Sequence, residues 1–352
     1  RFAVFATAAG NPERSAQLIG RALGRHGATT EHIAVAPRLA GTNLPEAVRD
    51  ERWIKAVLSC QGVFFAGGAQ ERITDTLQPG GQRSPLLDAV WQVFNRGGVV
   101  AGTSAGAAIM SRLMFRDAQS VMGVLRGDLR MGKEIDQGLG FVGPALFIDQ
   151  HFLKRGRIGR MLPLMQSQGY RWGLGVEENS AAIVQGGRIE VIGARGALLA
   201  DLADATQDAR LGAFNLRGAT LSLLERGDRY DLAQRQFTPS ATKQAEGLLN
   251  AQAPGFKPYF NDRPFHLDIL GDNTIAQAMA HLIDNTASEV RGLACEAQSD
   301  QRLGFEFRLY KAADSLGWFS AAAGGEDYSV AHLRLDVQPV RMAPTLYSPW
   351  SS

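Results

Sequence analysis

Lysine and cysteine are both scarce in this chain: of its 352 residues, six are Lys and two are Cys. Cys60 and Cys295 stand far apart in sequence, which excludes a disulfide framework or a cysteine-ligated metal cluster and predicts two buried free thiols. No run of about 18 apolar residues occurs, so no transmembrane helix is expected. A strong charge of either sign is missing too. The 37 Lys plus Arg and 35 Asp plus Glu leave a formal net charge of +2, so no global field points to nucleic acid or a membrane surface. What is present, 45% hydrophobic and 20% charged, describes a globular protein with a sizeable core. The cations are nearly all Arg. Genome composition accounts for most of them, and a site that grips carboxylates would need only a few. The opening RFAVFATAAG already reads as a core strand, so any signal peptide or earlier strand would lie upstream of it.

Along the chain, RFAVFATA reads as a strand and NPERSAQLIGRALGRHG as an amphipathic helix closed by Gly27. TEHIAVAPRL is a strand, ERWIKAVLSC a helix, GVFFAGG a buried strand, SPLLDAVWQVFNRG a helix, and VVAGTSAG a strand plus turn. This alternation predicts an α/β fold, a three-layer, mostly parallel sheet with helices on both faces. Ligands of such sheets sit at the carboxyl ends of the strands, here the glycine-marked turns Gly67-Gly68 and Gly102 to Gly106. Past about residue 180 the pattern changes. AAIVQGGRIEVIG predicts a hairpin turning at Gly186-Gly187, and LRGATLSLLERGDRYDL a further strand pair. Two domains are expected, residues 1–238 and a small α+β extension over 239–352. The extension would contain a helix in NTIAQAMAHLIDNT and strands in LGFEFRLYKA and VAHLRLDVQPV.

Gly102-Thr103-Ser104-Ala105-Gly106 fits G-x-S-x-G between a strand and a helix, the context that gives the pattern meaning as a nucleophile turn. A phosphate loop would need Lys then Ser or Thr after the last glycine, and Ala107 and Ala108 stand there instead. A purely structural turn is the other reading. The following helix would aim its dipole at the site. An activated serine needs a base and the base an orienter. Of six histidines, His26 and His32 read as structural, and His266, His281 and His332 lie in the extension. His151 ends the apolar run ALFIDQHF. Asp149, Gln150, Arg155, Arg157 and Arg160 surround it in a polar cluster too dense for a core. In WGLGVEENSA, Glu177 and Glu178 follow another strand end, and alternation allows only one of them to face the site. The order Ser104, His151, Glu178 differs from the Ser, acid, His order of α/β-hydrolases. An esterase of that kind would instead take His266, His281 or His332 as its base.

FFAGGAQERIT, GGVVAGTSAGAAIMS, FIDQHFLKRGRIGR and GLGVEENSA, in that order and spacing, resemble the cyanophycinases, serine peptidases related to the aspartyl dipeptidases. The resemblance covers about residues 1–235, with DQHF-x-x-R-x-R-x-x-R its most specific part. It implies exolytic hydrolysis of cyanophycin, a polyaspartate bearing Arg on each side chain, to β-Asp-Arg dipeptides. It implies no cofactor and no metal, and a homodimer. By resemblance Ser104 is the nucleophile, His151 the general base and Glu178 the acid that orients it. Gly68 and Ala105 supply oxyanion-hole amides, and Gln70, Asp149, Gln150, Arg155, Arg157 and Arg160 line the substrate pocket. Many relatives carry an acid where Ala69 stands, so the resemblance implies one polar contact fewer here. An aspartyl or isoaspartyl dipeptidase with the same triad is the alternative, and a polymer-binding protein with a degenerate site a third reading. A Lys-poor chain with an added C-terminal segment would suit a secreted or periplasmic enzyme that scavenges released polymer. A cytoplasmic enzyme mobilising its own reserve is the other possibility.

Overall fold

In a computed structural model, residues 1–116, 120–296, 302–322 and 324–343 are described. The chain divides into two compact units.

The first unit comprises Arg1–Ala118 and Arg130–Ile148. Its centre is a four-stranded, all-parallel sheet in the order Thr30–Ile33, Phe2–Phe5, Gly62–Phe65, Val99–Gly102. Each strand is four residues long, short enough that the apolar runs Ala-Val-Phe and Val-Phe-Phe bury almost completely. Gly62 is dictated by its neighbour, because a Cβ there would lie 2.4 Å from the Phe2 ring. The rings of Phe5 and Phe65 stack at 5.0 Å in adjacent strands, an arrangement worth about 1 kcal/mol beyond area burial. The helices between strands start where the sequence marks them. Asn11 accepts from the Arg14 N–H, Asp50 from that of Arg52 and Ser84 from that of Leu87. These caps open Pro12–Gly24, Glu51–Leu58 and Pro85–Asn95, each worth about 1 kcal/mol.

The second unit comprises Gln119–Leu129 and Asp149–Ser352. Its strands run Phe265–His266, Glu289–Ala294, Leu303–Tyr310, Asp327–Arg341, Leu216–Leu224, Ala197–Asp201, Trp172–Val176 in spatial order. All but the first of these pairings are antiparallel. The expected mostly parallel sheet therefore holds for the first unit alone. From Trp172–Val176 to Leu216–Leu224 one strand follows another without a crossover helix, and the parallel pair, Phe265–His266 with Glu289–Ala294, is joined through the helix Thr274–Ile283. The hairpin Ser180–Gln185 and Arg188–Gly193 turns at Gly186 and Gly187, both at positive φ (56° and 77°), as a two-residue turn demands. The strand pair expected in LRGATLSLLERGDRYDL is replaced by separate pairings. Leu216–Leu224 joins the large sheet, whereas Arg229–Asp231 pairs with Arg188–Glu190.

Asp327–Arg341, beyond residue 238, pairs with Leu216–Leu224, before it. The same ends are tied by a buried cluster in which Lys243 Nζ donates to Asp327 (2.7 Å) and Ser329 (2.6 Å), and Ser329 donates to Asp228. Burial and the nearby Asp327 push the Glu225 carboxyl beside this cluster up to about 8. Cys60 is buried as expected, but Cys295 is half-exposed, and both are free thiols. Among the described residues no helix is long and apolar enough to cross a membrane, and no group of three or more His, Cys, Asp or Glu is placed to hold a metal ion.

Candidate active site

In the first unit the strand Val99–Gly102 breaks sharply at Thr103 and Ser104. Ser104 has φ 51° and ψ −111°, a backbone region that residues with a Cβ rarely occupy and that costs of order 1–3 kcal/mol. A merely structural turn would favour glycine at this position. Its neighbours are glycine for steric reasons. A Cβ at Gly102 would lie 2.2 Å from the Gly106 carbonyl oxygen, and one at Gly106 would lie 2.2 Å from that of Phe65. The turn is closed by the Thr103 N–H to the Phe65 carbonyl (3.1 Å), Gly106 N–H to Thr103 (2.9 Å) and Ala108 N–H to Ser104 (3.0 Å).

The Gly67-Gly68 turn lies beside the serine, since a Cβ on Gly67 would meet Ser104 Cβ at 3.2 Å. Gly68, at φ 143°, leaves no room for a side chain against the Ala8 carbonyl. Ala69 then starts the helix Gln70–Leu77 without a side-chain cap, since an alanine side chain carries no acceptor. The expected dipole behind Ser104 is small, because the helix there is the single turn Ala105–Ala108. Gln70 donates its amide to the Phe115 carbonyl (2.6 Å).

In the second unit His151 directly follows the strand Leu146–Gln150 and has φ 48°. Its Nδ1 lies 2.8 Å from Glu178 Oε1, and Lys154 Nζ lies 2.9 Å from the other carboxylate oxygen. Lys154 first, then His151, drives the Glu178 carboxyl down to about 2, so it is ionised throughout the neutral range. Glu177 is buried. It accepts the backbone N–H groups of Leu153 (2.5 Å), Lys154 (2.9 Å) and Glu178 (2.7 Å). The two adjacent glutamates, just past the end of the strand Trp172–Val176, divide the work, one on the ring and one on the main chain. Gly173 and Gly175 bring that strand close to its neighbours. A Cβ on Gly175 would strike the Phe152 ring at 2.1 Å, and one on Gly173 the Met165 sulfur at 2.3 Å.

Arg155, Arg157 and Arg160, expected with Asp149 and Gln150 to line a substrate pocket, differ in exposure and in partners. Asp149, Gln150 and Arg160 are all buried. The Arg160 guanidinium forks onto Asp149, Nε to Oδ2 at 2.7 Å and Nη2 to Oδ1 at 2.6 Å. Arg157 Nη1 donates to the Gln150 carbonyl (2.6 Å) and reaches Asp149 at 3.3 Å. Burial draws the Arg157 guanidinium down to about 10. Within a cluster expected to be too polar for a core, Asp149 and Arg160 are buried because they satisfy one another. Arg155 is exposed, and Gln150 Oε1 is buried without a hydrogen-bond partner among the described residues. Of the remaining histidines, His281 is bonded to Asp262 (2.6 Å) and His332 lies 3.3 Å from the Tyr230 hydroxyl. Sequence reasoning missed Lys154 and the use Glu177 is put to. The available signal was a rare lysine three residues past His151.

Residues 6–192 match the model of Peptidase family S51. A cyanophycinase from Nostoc sp. is 32% identical over 198 residues, covering 53% of this chain and 62% of that protein. A cyanophycinase from Trichormus variabilis is 32% identical over 192 residues, covering 52% and 60%. Each match therefore spans about three fifths of the relative's length. A crystal structure of a peptidase from an acI-B1 Actinobacterium aligns at a TM-score of 0.44 with 21% identity, covering 56% of this chain and 75% of that one.

Proposed function

The chain belongs to peptidase family S51, and on that premise we propose that it is a serine exopeptidase that hydrolyses cyanophycin to β-Asp-Arg dipeptides. The observation that carries this reading is the strained, glycine-framed Ser104 in one unit together with the hydrogen-bonded His151–Glu178 pair in the other. Relatives named as cyanophycinases, 32% identical to this chain, supply the substrate class.

On this reading Ser104 Oγ attacks a backbone carbonyl of the polyaspartate while His151 takes its proton. Glu178, held ionised, fixes the imidazole tautomer and stabilises the imidazolium. The Gly68 and Ala105 amides receive the oxyanion, each such donor being worth roughly 3 kcal/mol. His151 then returns the proton to the departing amine, leaving an acyl group on Ser104. Water, deprotonated by the same imidazole, releases the dipeptide with its side-chain link to Arg intact. Gln70, Gln150 and Arg155 are the proposed substrate contacts with polar groups to spare. Asp149, Arg157 and Arg160 act by holding the wall on which Gln150 sits.

A second reading, an aspartyl or isoaspartyl dipeptidase using the same three residues, gains support from the internal pairing of Asp149 with Arg160. That pairing removes two of the charged groups a polymer would engage. Incubation with insoluble cyanophycin beside Asp-Leu separates the two. Clearing of turbidity with a product of the mass of β-Asp-Arg supports the first; cleavage of Asp-Leu with no clearing overturns it in favour of the second.

A further inference from the structure

The strongest unexplained group near the proposed chemistry is the buried carboxylate of Glu177, 4% exposed. Burying a carboxylate is costly unless its lone pairs are filled. Here they are filled by main-chain N–H groups, and the identity of those donors is informative. Two belong to Leu153 and Lys154, in the turn immediately after His151, and the third belongs to Glu178 itself. One side chain therefore fastens together the two backbone segments whose next side chains form the His151–Glu178 bond. His151 sits at φ 48°, a conformation that persists only where its surroundings over-determine it. Glu177 supplies that constraint from the far strand, and Lys154, whose backbone it holds, is the residue that grips Glu178 Oε2.

We propose that Glu177 is a positioning residue for the hydrolysis proposed above: by clamping the 152–154 turn to the 177–178 strand end it holds His151 Nδ1 on Glu178. The inference rests on that functional reading. The role needs a carboxylate in particular. An amide of the same size presents one oxygen to three N–H donors and sets its own NH2 against at least one of them. Glu177→Gln is therefore expected to lower kcat on cyanophycin by about 10- to 100-fold with KM nearly unchanged, the range a misaligned base produces. The acidic limb of kcat/KM should move to lower pH, because an imidazolium no longer seated on Glu178 loses its proton more readily. Glu177→Asp, one methylene shorter but still a carboxylate, is expected to recover part of the loss.

A role in stability alone would lower Tm while leaving the limb and the kcat of the folded fraction at wild-type values, and that result overturns the proposal. Equal defects in the Asp and Gln variants overturn it as well. A readout independent of turnover is the downfield proton NMR signal of His151 Nδ1–H. It should be present in the wild type and in Glu177→Asp, and absent in Glu177→Gln and Glu178→Gln. Its survival in Glu177→Gln contradicts the clamp. A wild-type protein inert on both cyanophycin and Asp-Leu contradicts the proposed activity, and the proton signal then decides the positioning role by itself.

Discussion

Ser104 and His151 each follow the end of a short strand at positive φ, yet the two turns are held by opposite means. The Ser104 turn is fixed by missing atoms. Gly68, Gly102 and Gly106 let the main chain approach itself to distances a Cβ would forbid. The His151 turn is fixed by charge, with Glu178 between an imidazole and an ammonium, Glu177 on three amides, and Asp149 on two guanidinium groups. The lesson is that one turn should fail on added volume and be indifferent to pH and salt. The other should fail on loss of charge.

The largest effect expected from this contrast is at Glu178. Glu178→Gln preserves shape and removes the charge, and a fall in kcat/KM of about 10³-fold or more is expected in steady-state assays of dipeptide release. Next is the steric turn. Gly106→Ala places a methyl 2.2 Å from the Phe65 carbonyl oxygen and should cost about 3 kcal/mol, read from urea denaturation, with the same deficit at low and high salt.

Smaller is the effect of Lys154→Met. Its ammonium is the first cause of the low Glu178 pKa, so the variant should let that carboxyl rise from about 2 toward the ordinary glutamate range, followed by carbon NMR. The sign follows from linkage. A carboxyl held low in the folded state stabilises it above the unfolded pKa, and the benefit is lost as pH falls toward 2. The Tm gap between wild type and Lys154→Met should therefore be open at pH 6, narrow through pH 4 to 3, and close near pH 2. Smallest is salt. Raising NaCl to about 1 M should shrink that gap at pH 6 by screening a half-exposed pair, and leave the Gly106→Ala deficit unchanged.

The steric turn was legible in the sequence because glycine and small residues announce a backbone that must bend: GTSAG, the parallel strands before it and the Gly186-Gly187 hairpin all follow from such marks. His151 and Glu178 were legible as strand-end polar residues. What stood hidden depended on partners distant in sequence. Asp149 and Arg160 look like an open, substrate-facing pair until their mutual fork is seen, since composition cannot tell a charge aimed at solvent from one aimed at a neighbour. Glu177 and Glu178 are chemically identical, and only the partners each finds past the strand end separate them. The antiparallel sheet was missed because Asp327–Arg341 finds its place against Leu216–Leu224, far back along the chain. No local period reports such a pairing.

Serine labelling tests the centre of this account most directly. Treated with a fluorophosphonate and read by intact-protein and peptide mass spectrometry, the wild type should gain one adduct, on the peptide containing Ser104. His151→Ala should react far more slowly, and prior substrate should protect the site. An adduct on another residue, or labelling of His151→Ala at the wild-type rate, would contradict the assignment of Ser104 as nucleophile and His151 as its base.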